Sequence, residues 1–524
     1  MVASLLKLIS SGIQDERLTF QQTLYPFKKM WVKAGRFTTQ WSRLDFENTP
    51  TFGNTGFFRI LRKGHLLNRL FLVAQMPDIY STQYQAQVAN KDASGNPRPV
   101  YPQFGWTNSL GHALIQNLTL DIAAARVENI DSRLLEILDE YNTPLERVPT
   151  INSLIKRKDT GFTETSFGWP PTLTARGQPY NETVIVPLPF WFTRGDPGCA
   201  LPIDAIPMDE IRVGITFRPL AGLYYTYTQI PNPSVVNGEQ GSSLWPLAGS
   251  NFYVNPVTDP KNPGQTPLSN ANGITIQMPL NLQLGECYIM AEYTYLDQNE
   301  ANRFRLADLQ VPVVQHYAMN AFDTQGLPSA RIPLYIPNPT RDIFFMCNRV
   351  EAPTYNAFFL ATRDLSGNVN TSPAGGQTPW WPDAQGLYGN APSLFLRAGF
   401  QLSDSEPLIG YELDYEGSLV RFRTQGPALF RSILPSYEQQ KTPWVNRYYY
   451  NFPMGIQNGF TPFSRPQGEA NLDKIVNRDL VLQIRPVRGN TGGVVVDRYV
   501  VYVYAETYNI LRVYGGRAGL MFAY

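Results

Sequence analysis

Histidine is the side chain best suited to moving protons or holding a metal near neutral pH, and this chain of 524 residues has three: His65, His112 and His316. They are far apart, and no pair has the i,i+4 spacing that places two ligands on one helix face. His112, within Trp106-Thr107-Asn108-Ser109-Leu110-Gly111-His112, reads as a packed, hydrogen-bonded histidine rather than a ligand. Carboxylate pairs are harder to dismiss. Asp414 and Glu416 would share one face of a strand, and paired acids hydrolyse glycosides on β-sandwiches. A chain with 43 acidic residues nevertheless offers such pairs by chance. Trp380-Trp381 could stack on a sugar ring and reads rather as a loop anchor. There is no GxSxG elbow and no Walker A loop. Gly515-Gly516-Arg517-Ala518-Gly519 lacks the following helix that a phosphate cradle needs, and instead suits close packing of the C-terminal strand. No catalytic residue, metal or cofactor is therefore assigned.

Two sequons, Asn181-Glu182-Thr183 and Asn370-Thr371-Ser372, make Asn181 and Asn370 candidate glycosylation sites. A third, Asn117-Leu118-Thr119, falls in an expected strand. The formal net charge is +1, which argues against a face built to bind nucleic acid directly. The one dense basic cluster, Lys156-Arg157-Lys158, reads as a solvated loop. Cys199, Cys287 and Cys347 are well separated and outside any CxxC pair, which fits a reducing compartment. The start lacks a basic n-region and a cleavage site, and no apolar run reaches the roughly 18 residues that span a bilayer. The expectation is a protein made inside the cell.

The elements that must carry these residues come in two copies. Leu118-Thr119-Leu120-Asp121, then Leu134–Leu138, then Tyr141 and Thr143-Pro144, are answered by Tyr411-Glu412-Leu413-Asp414, Leu429–Leu434, Tyr437 and Thr442-Pro443. Pro189-Phe190-Trp191-Phe192 is matched with Asn451-Phe452-Pro453-Met454, and Ile215–Pro219 with Leu482–Pro486. Tyr293-Thr294-Tyr295 pairs with Tyr502-Val503-Tyr504. Between the last two matched pairs the first copy is longer by roughly 58 residues, so it carries an insertion. That insertion is the aperiodic stretch Ala221–Asn272, rich in Pro, Gly, Asn and Tyr. A second loop of this kind runs from Asp364 to Asn390. Pro 43, Gly 40, Tyr 29 and Phe 29 suit many short strands joined by elaborate turns. Strands are expected at Phe57–Leu61, Leu70–Ala74, Ala113–Ile122, Thr183–Val186, Ile211–Phe217, Tyr288–Leu296, Ile343–Met346, Gly410–Tyr415, Leu480–Ile484 and Val494–Tyr504. Ile130–Tyr141 is expected to be a helix capped by Asp131. Asp297–Asn302 is expected to turn the chain into the second copy. With no Gly/Ser linker at the join, the copies should sit rigidly side by side. Residues 1–13 have apolar spacings of three and four, which leaves a docked amphipathic helix and a disordered tail both open.

These blocks resemble the double jelly-roll major capsid proteins of nucleocytoplasmic large DNA viruses, across essentially the whole chain. Gly12-Ile13-Gln14-Asp15-Glu16-Arg17-Leu18-Thr19 is similar to the family's "GAQD…LT" opening. Trp106–Ile115 is close to its "WTNxLGHALI" block, and Pro187–Phe192 with Ala200-Leu201-Pro202 to "LPFWF…ALPL". Tyr293–Asp297 with Glu300, Arg303 and Phe304 resembles "YIYLDxxERRRF". Asn458–Asn471 is similar to "QPSGxxNFSR", and Tyr508–Val513 with Gly519-Leu520 to "YNVLRIxxGxxGLAYS". Pro26-Phe27-Lys28-Lys29-Met30-Trp31 matches the next family block only loosely, and the "SGT" element is replaced around Gly459-Phe460-Thr461.

The resemblance implies an all-β fold of two tandem eight-stranded antiparallel jelly rolls with short helices and long loops. The expected division is an arm 1–13, a first roll 14–304 with the insertion 221–272, and a second roll 305–524. The family role implies a non-catalytic capsid protein of the virion, assembled in the host cytoplasm. Homotrimers would form pseudo-hexagonal capsomers that contact neighbouring capsomers, minor capsid and penton proteins and, on the inner face, an internal membrane. Residues 221–272 and 364–390 would then form an outward tower. Two rivals remain: a carbohydrate-binding or glycoside-hydrolase jelly roll, and a minor capsid protein.

Overall fold

The computed structural model describes residues 36–79, 95, 103–157, 183–195, 197–230, 243–248, 282–350, 352–356, 358–361, 406–416, 419–423, 429–443, 447–455, 468–488 and 494–522. The arm 1–13, Asn181, Asn370, Trp380-Trp381 and the 364–390 loop lie outside the described residues.

The first copy contributes β1 (Phe37–Leu44), β2 (Thr55–Arg59), β3 (Leu66–Gln75), β4 (Ile115–Ile122), β5 (Ala125–Asp131), β6 (Thr183–Pro187), β7 (Ile211–Phe217) and β8 (Cys287–Leu296). They form two antiparallel sheets, ordered β1-β8-β3-β6 and β2-β7-β4-β5. The second copy contributes β9 (Leu309–Ala318), β10 (Ser329–Pro333), β11 (Pro339–Arg349), β12 (Leu408–Tyr415), β13 (Leu419–Arg423), β14 (Tyr449–Pro453), β15 (Arg478–Ile484) and β16 (Tyr499–Tyr514). Their orders are β9-β16-β11-β14 and β10-β15-β12-β13. Adding eight to each label of the first pair of sheets gives the second pair. The duplication is therefore one of topology: two jelly rolls in tandem.

Period-two patterning explains these sheets. In β3, Leu70, Leu72 and Ala74 turn inward, while Arg69 and Phe71 face out. In the second roll Phe345, Tyr411, Phe430, Tyr450 and Phe452 form one aromatic cluster with ring centroids 4.6–5.8 Å apart. Short helices fill the connections: α1 (Leu110–Leu114), α2 (Ser132–Asn142), α3 (Val148–Ile155), α4 (Gln298–Leu306) and α5 (Leu434–Glu438). As expected, Asp131 caps α2, its Oδ1 accepting from the Leu134 amide at 2.8 Å.

Several expectations change. Ala113–Ile122 is not one strand, because α1 ends at Leu114 before β4 begins. Asp297–Asn302 is not a plain turn: Asp297 opens α4, and the expected boundary at 304 falls inside that helix. The insertion is not patternless where described. Tyr224–Ile230 and Ser243–Ala248 pair with each other, and the former also pairs with Gln103–Trp106, giving a small sheet separate from both rolls. Phe190 is the extended residue that precedes a 3-10 turn, Trp191–Thr193, after β6. The counterpart of β14 is thus Thr183–Pro187, not Phe190.

Asp414 and Glu416 do not share a strand face. β12 ends at Tyr415, and Glu416 turns away with φ +53°. Asp414 instead receives Arg331 at 3.0 Å, with Asp479 on the same guanidinium at 2.9 Å. Gly515 and Gly516, at φ +58° and +80°, form the tight turn between β16 and the strand Arg517–Leu520, a geometry only glycine adopts freely. The Gly516 carbonyl accepts from the Met208 amide at 2.9 Å, so this turn packs on the first roll.

Candidate functional site

Most of the buried ion pairs among the described residues converge on the contact between the two rolls. It is built by β5 and α2 of the first roll, laid against the sheet β9-β16-β11-β14 of the second. Leu134, Leu135 and Leu138 anchor α2 in the hydrophobic core, while Glu136, Glu140 and Tyr141 reach the second roll. The Tyr141 hydroxyl donates to the Tyr449 carbonyl at 2.8 Å, and its ring lies 5.3 Å from that of Phe344.

Two buried ionic clusters flank this tyrosine. In the first, Glu136 gathers four donors: Ser109 Oγ at 3.1 Å, His112 Nδ1 at 2.6 Å, Arg157 Nη2 at 2.7 Å and Arg447 Nη1 at 2.5 Å. Arg157 also pairs with Asp139, and Lys441 Nζ with Glu140 at 2.9 Å. Three carboxylates thus face two guanidinium groups and an amine, with Arg447 and Lys441 coming from the second roll. Burial alone would raise the Glu136 pKa, but Arg157, the His112 hydrogen bond and Arg447 outweigh it and hold Glu136 well below the usual range. Burial likewise opposes, and Arg157 overcomes, a lowered Asp139; Lys441 and the two arginines do the same for Glu140.

In the second cluster, Glu128 of β5 accepts both the backbone amide of His316 (2.9 Å) and its Nδ1 (3.0 Å). His316 Nε2 lies 3.3 Å from Glu506, with Arg194 Nη2 against the same nitrogen. Glu506 also receives Arg194 at 2.7 Å and Arg341 at 3.0 Å. Burial works against a charged imidazole here, yet Glu128 and Glu506 raise the His316 pKa above its ordinary value. Burial also opposes ionisation of Glu506, and Arg194 with Arg341 drive its pKa down.

Direct links complete the contact. The Asp131 Oδ2 accepts from Tyr504 at 2.7 Å, so one carboxylate caps α2 and ties it to β16. Arg133 stacks over Tyr502 at 3.9 Å. Asn356 donates to the carbonyls of Ala221 and Tyr224, both at 2.8 Å, and its own carbonyl accepts from Thr107 at 3.0 Å. Asp131→Ala is expected to lower stability by ~1–3 kcal/mol, combining a lost cap with an orphaned tyrosine hydroxyl. Asp131→Ser should recover the cap share alone; equal denaturant midpoints for the Ala and Ser variants would reject this division.

Sequence reasoning placed His112 correctly as a hydrogen-bonded structural residue. It erred on Lys156-Arg157-Lys158: Arg157 is 6% exposed and is the hub of an ionic cluster, because α3 ends at Ile155 and Lys156 (φ +59°) turns the chain back toward α2. The Trp106–Ile115 block now has a physical reading. Trp106 is buried, Thr107 reaches the second roll, Ser109 and His112 hold Glu136, and Gly111 leaves no room for a β-carbon, which would lie 2.8 Å from Val186. Cys199 and Cys347 are buried and Cys287 half-buried, all as free thiols; burial pushes Cys287 up to about 12. Among the described residues no group of three or more His, Cys, Asp or Glu could hold a metal, and no helix is long and apolar enough to cross a membrane.

Residues 25–244 match the family described as "Major capsid protein N-terminus". A probable capsid protein of Acanthamoeba polyphaga mimivirus is 24% identical over 43% of this chain, and the match spans 39% of that relative's length. The major capsid protein of Phaeocystis pouchetii virus is 20% identical over the full length of both chains. Among solved structures, the PBCV-1 virus capsid superposes with a TM-score of 0.61 at 17% identity, covering 95% of this chain and 100% of the other. The Faustovirus major capsid protein gives 0.59 at 10% identity, covering 98% and 99%. Together, the doubled strand order and these likenesses give the chain the double jelly-roll fold of these capsid structures and a sequence similar to the major capsid proteins of large DNA viruses.

Proposed function

We propose that this protein is the repeating unit of an icosahedral virus shell and acts structurally, without catalysis. The observation that carries the reading is the pair of rolls with one strand order, locked face to sheet by buried ionic clusters. Two rigid rolls per chain let three copies present six similar walls, and six walls give a pseudo-hexagonal block that packs without gaps. In this reading the unit is a homotrimer. Its sides meet neighbouring capsomers and, at special positions, minor capsid and penton proteins. The inner face, with the arm 1–13, lies toward an internal membrane, and assembly takes place in the host cytoplasm. The division into 14–304 and 305–524 follows the two sets of strands. The 221–272 and 364–390 segments rise as the outward tower, and Asn181 and Asn370 are the positions where glycans would attach. Support for the tower comes from the separate sheet built on Tyr224–Ile230, which belongs to neither roll.

Solution mass by light scattering, with negative-stain imaging of the same sample, tests the reading. A three-chain mass and a hexagonal outline are expected. A monomer at all concentrations would overturn it.

A further inference from the structure

The two rolls share a topology but not a state of burial, and the difference shows in one sheet and one helix. In the second roll, the nine residues of β11 between its ends and all five of β14 are buried, on both faces. One face is that roll's own core. The other carries Phe344, Tyr504, Glu506 and His316, and is covered by β5 and α2 through Tyr141, Asp131 and Glu128.

Among the described residues, the same sheet of the first roll, β1-β8-β3-β6, has no helix covering its outer face as α2 covers that of the second. Its inner face is core, but seven of the eight β1 residues are at least partly exposed. On the outer face Trp41 lies 5.7 Å from Phe71, beside Met290, and Arg43 sits 4.2 Å over Tyr288. Arg69 pairs with Glu292 at 3.5 Å along the same face. Trp41 is 43% exposed and Phe37 65%. Phe71 thus faces outward on β3, as Phe344 does on the equivalent strand β11.

The second roll also has its own counterpart of α2. After β13 comes a π turn (Leu429–Ile433) and then α5, as α2 follows β5. In sequence, Tyr437 stands to the Leu429–Leu434 run as Tyr141 stands to Leu134–Leu138. Tyr141 is fully buried against the second roll, whereas Tyr437 is 70% exposed and Ile433 39%. Among the described residues, each chain therefore uses one copy of a helix-to-sheet contact internally, and leaves one helix and one sheet face uncovered.

We infer that a second copy of this chain fills the gap: Ile433 and Tyr437 of one copy seat on the Trp41-Phe71-Met290 face of the next. The inference rests on the three-copy reading above. A contact between two unlike surfaces is heterologous, and such contacts close into a ring when the rotation permits. Here internal and intermolecular versions of one contact alternate around six rolls. The two differ in chemistry. The internal version is stapled by buried charges, while the intermolecular version is aromatic and apolar with arginines at its border, so it assembles from folded chains without burying an unpaired ion.

Trp41→Asp and Tyr437→Asp, both at exposed side chains, test this on the full chain. Wild type is expected at three-chain mass, with each variant at single-chain mass and an unchanged unfolding profile. Folded variants that keep the three-chain mass would overturn the contact and leave the capsomer reading standing; a monomeric wild type overturns both. Should a variant fail to fold, a benzoylphenylalanine at position 437 in the otherwise native chain decides. Ultraviolet light should then yield a two-chain adduct joined to the 37–44 or 287–296 peptide. Adducts elsewhere, or only within one chain, reject the contact.

Discussion

Replacing Glu136 by glutamine is expected to cost about 3–5 kcal/mol of stability, because it leaves buried cations without their counter-charge. Four donors converge on this carboxylate, and two of them, Arg157 and Arg447, carry permanent charge from different rolls. A glutamine amide offers one acceptor oxygen and adds two more donors to a site already crowded with them. The comparison that isolates burial is Glu300→Gln. Glu300 pairs with Arg303 at 3.0 Å, but the two side chains are 52% and 76% exposed, so the change should stay within about 0.5 kcal/mol. Guanidinium midpoints of the two variants measure the contrast. Glu136→Leu combined with Arg447→Leu should recover part of the loss, since apolar replacement of both partners removes the uncompensated charge. Equal midpoints for Glu136→Gln and Glu300→Gln would show that the cluster does not hold the rolls together.

The fold was legible because it depends on local signals repeated twice. Apolar alternation marked β3, β7, β12 and β15, and the Asp131 cap with its leucine stripe marked α2. What the pattern could not give was the contact between copies, and the reason lies in the same helix. Glu136 and Glu140 fall on the face of α2 that a sequence pattern assigns to solvent, yet both are buried because the second roll lies there. Arg157 looked solvated for a similar reason, as its partners sit elsewhere in the chain, up to 21 positions away on α2. An acidic triplet at Glu136, Asp139 and Glu140 and a nearby Arg157 were visible as residues. Only the distant Lys441 and Arg447 turn them into a closed cluster, and nothing in local spacing links positions some 300 residues apart. The repeat comparison slipped at Phe190 because aromatic content was matched where hydrogen-bonded strands should have been.

The interface should also make stability fall on both sides of a pH optimum, for opposite reasons. Glu136, Asp139, Glu140 and Glu506 all have lowered pKa values in the folded chain, against ordinary values of 4.5 for Glu and 3.8 for Asp. A lowered folded pKa contributes stability that is complete above the unfolded value and is lost as pH falls through the folded one. The acid limb should therefore begin near pH 4.5 and steepen below it. His316 works in reverse. Its folded pKa is raised above 6.5, so its contribution is complete below that value and fades as pH rises through the folded one. The groups that face it set this sign: Glu128 from β5 and Glu506 from β16 favour the charged ring, while Arg194 opposes it. Unfolding free energies measured across the pH range should show a plateau between these limbs. Glu506→Gln should weaken the acid limb, and also the alkaline one, since it removes a partner of His316. His316→Gln should flatten the alkaline limb and trim the acid one less, since Arg194 and Arg341 still lower Glu506 and the Glu136 cluster is untouched. A wild-type profile that is flat from acid to about pH 9, or a fall between pH 6.5 and about 9 that survives His316→Gln, would show that these buried charges are not what locks one roll against the other; above about pH 10 the buried tyrosines lower stability in every variant.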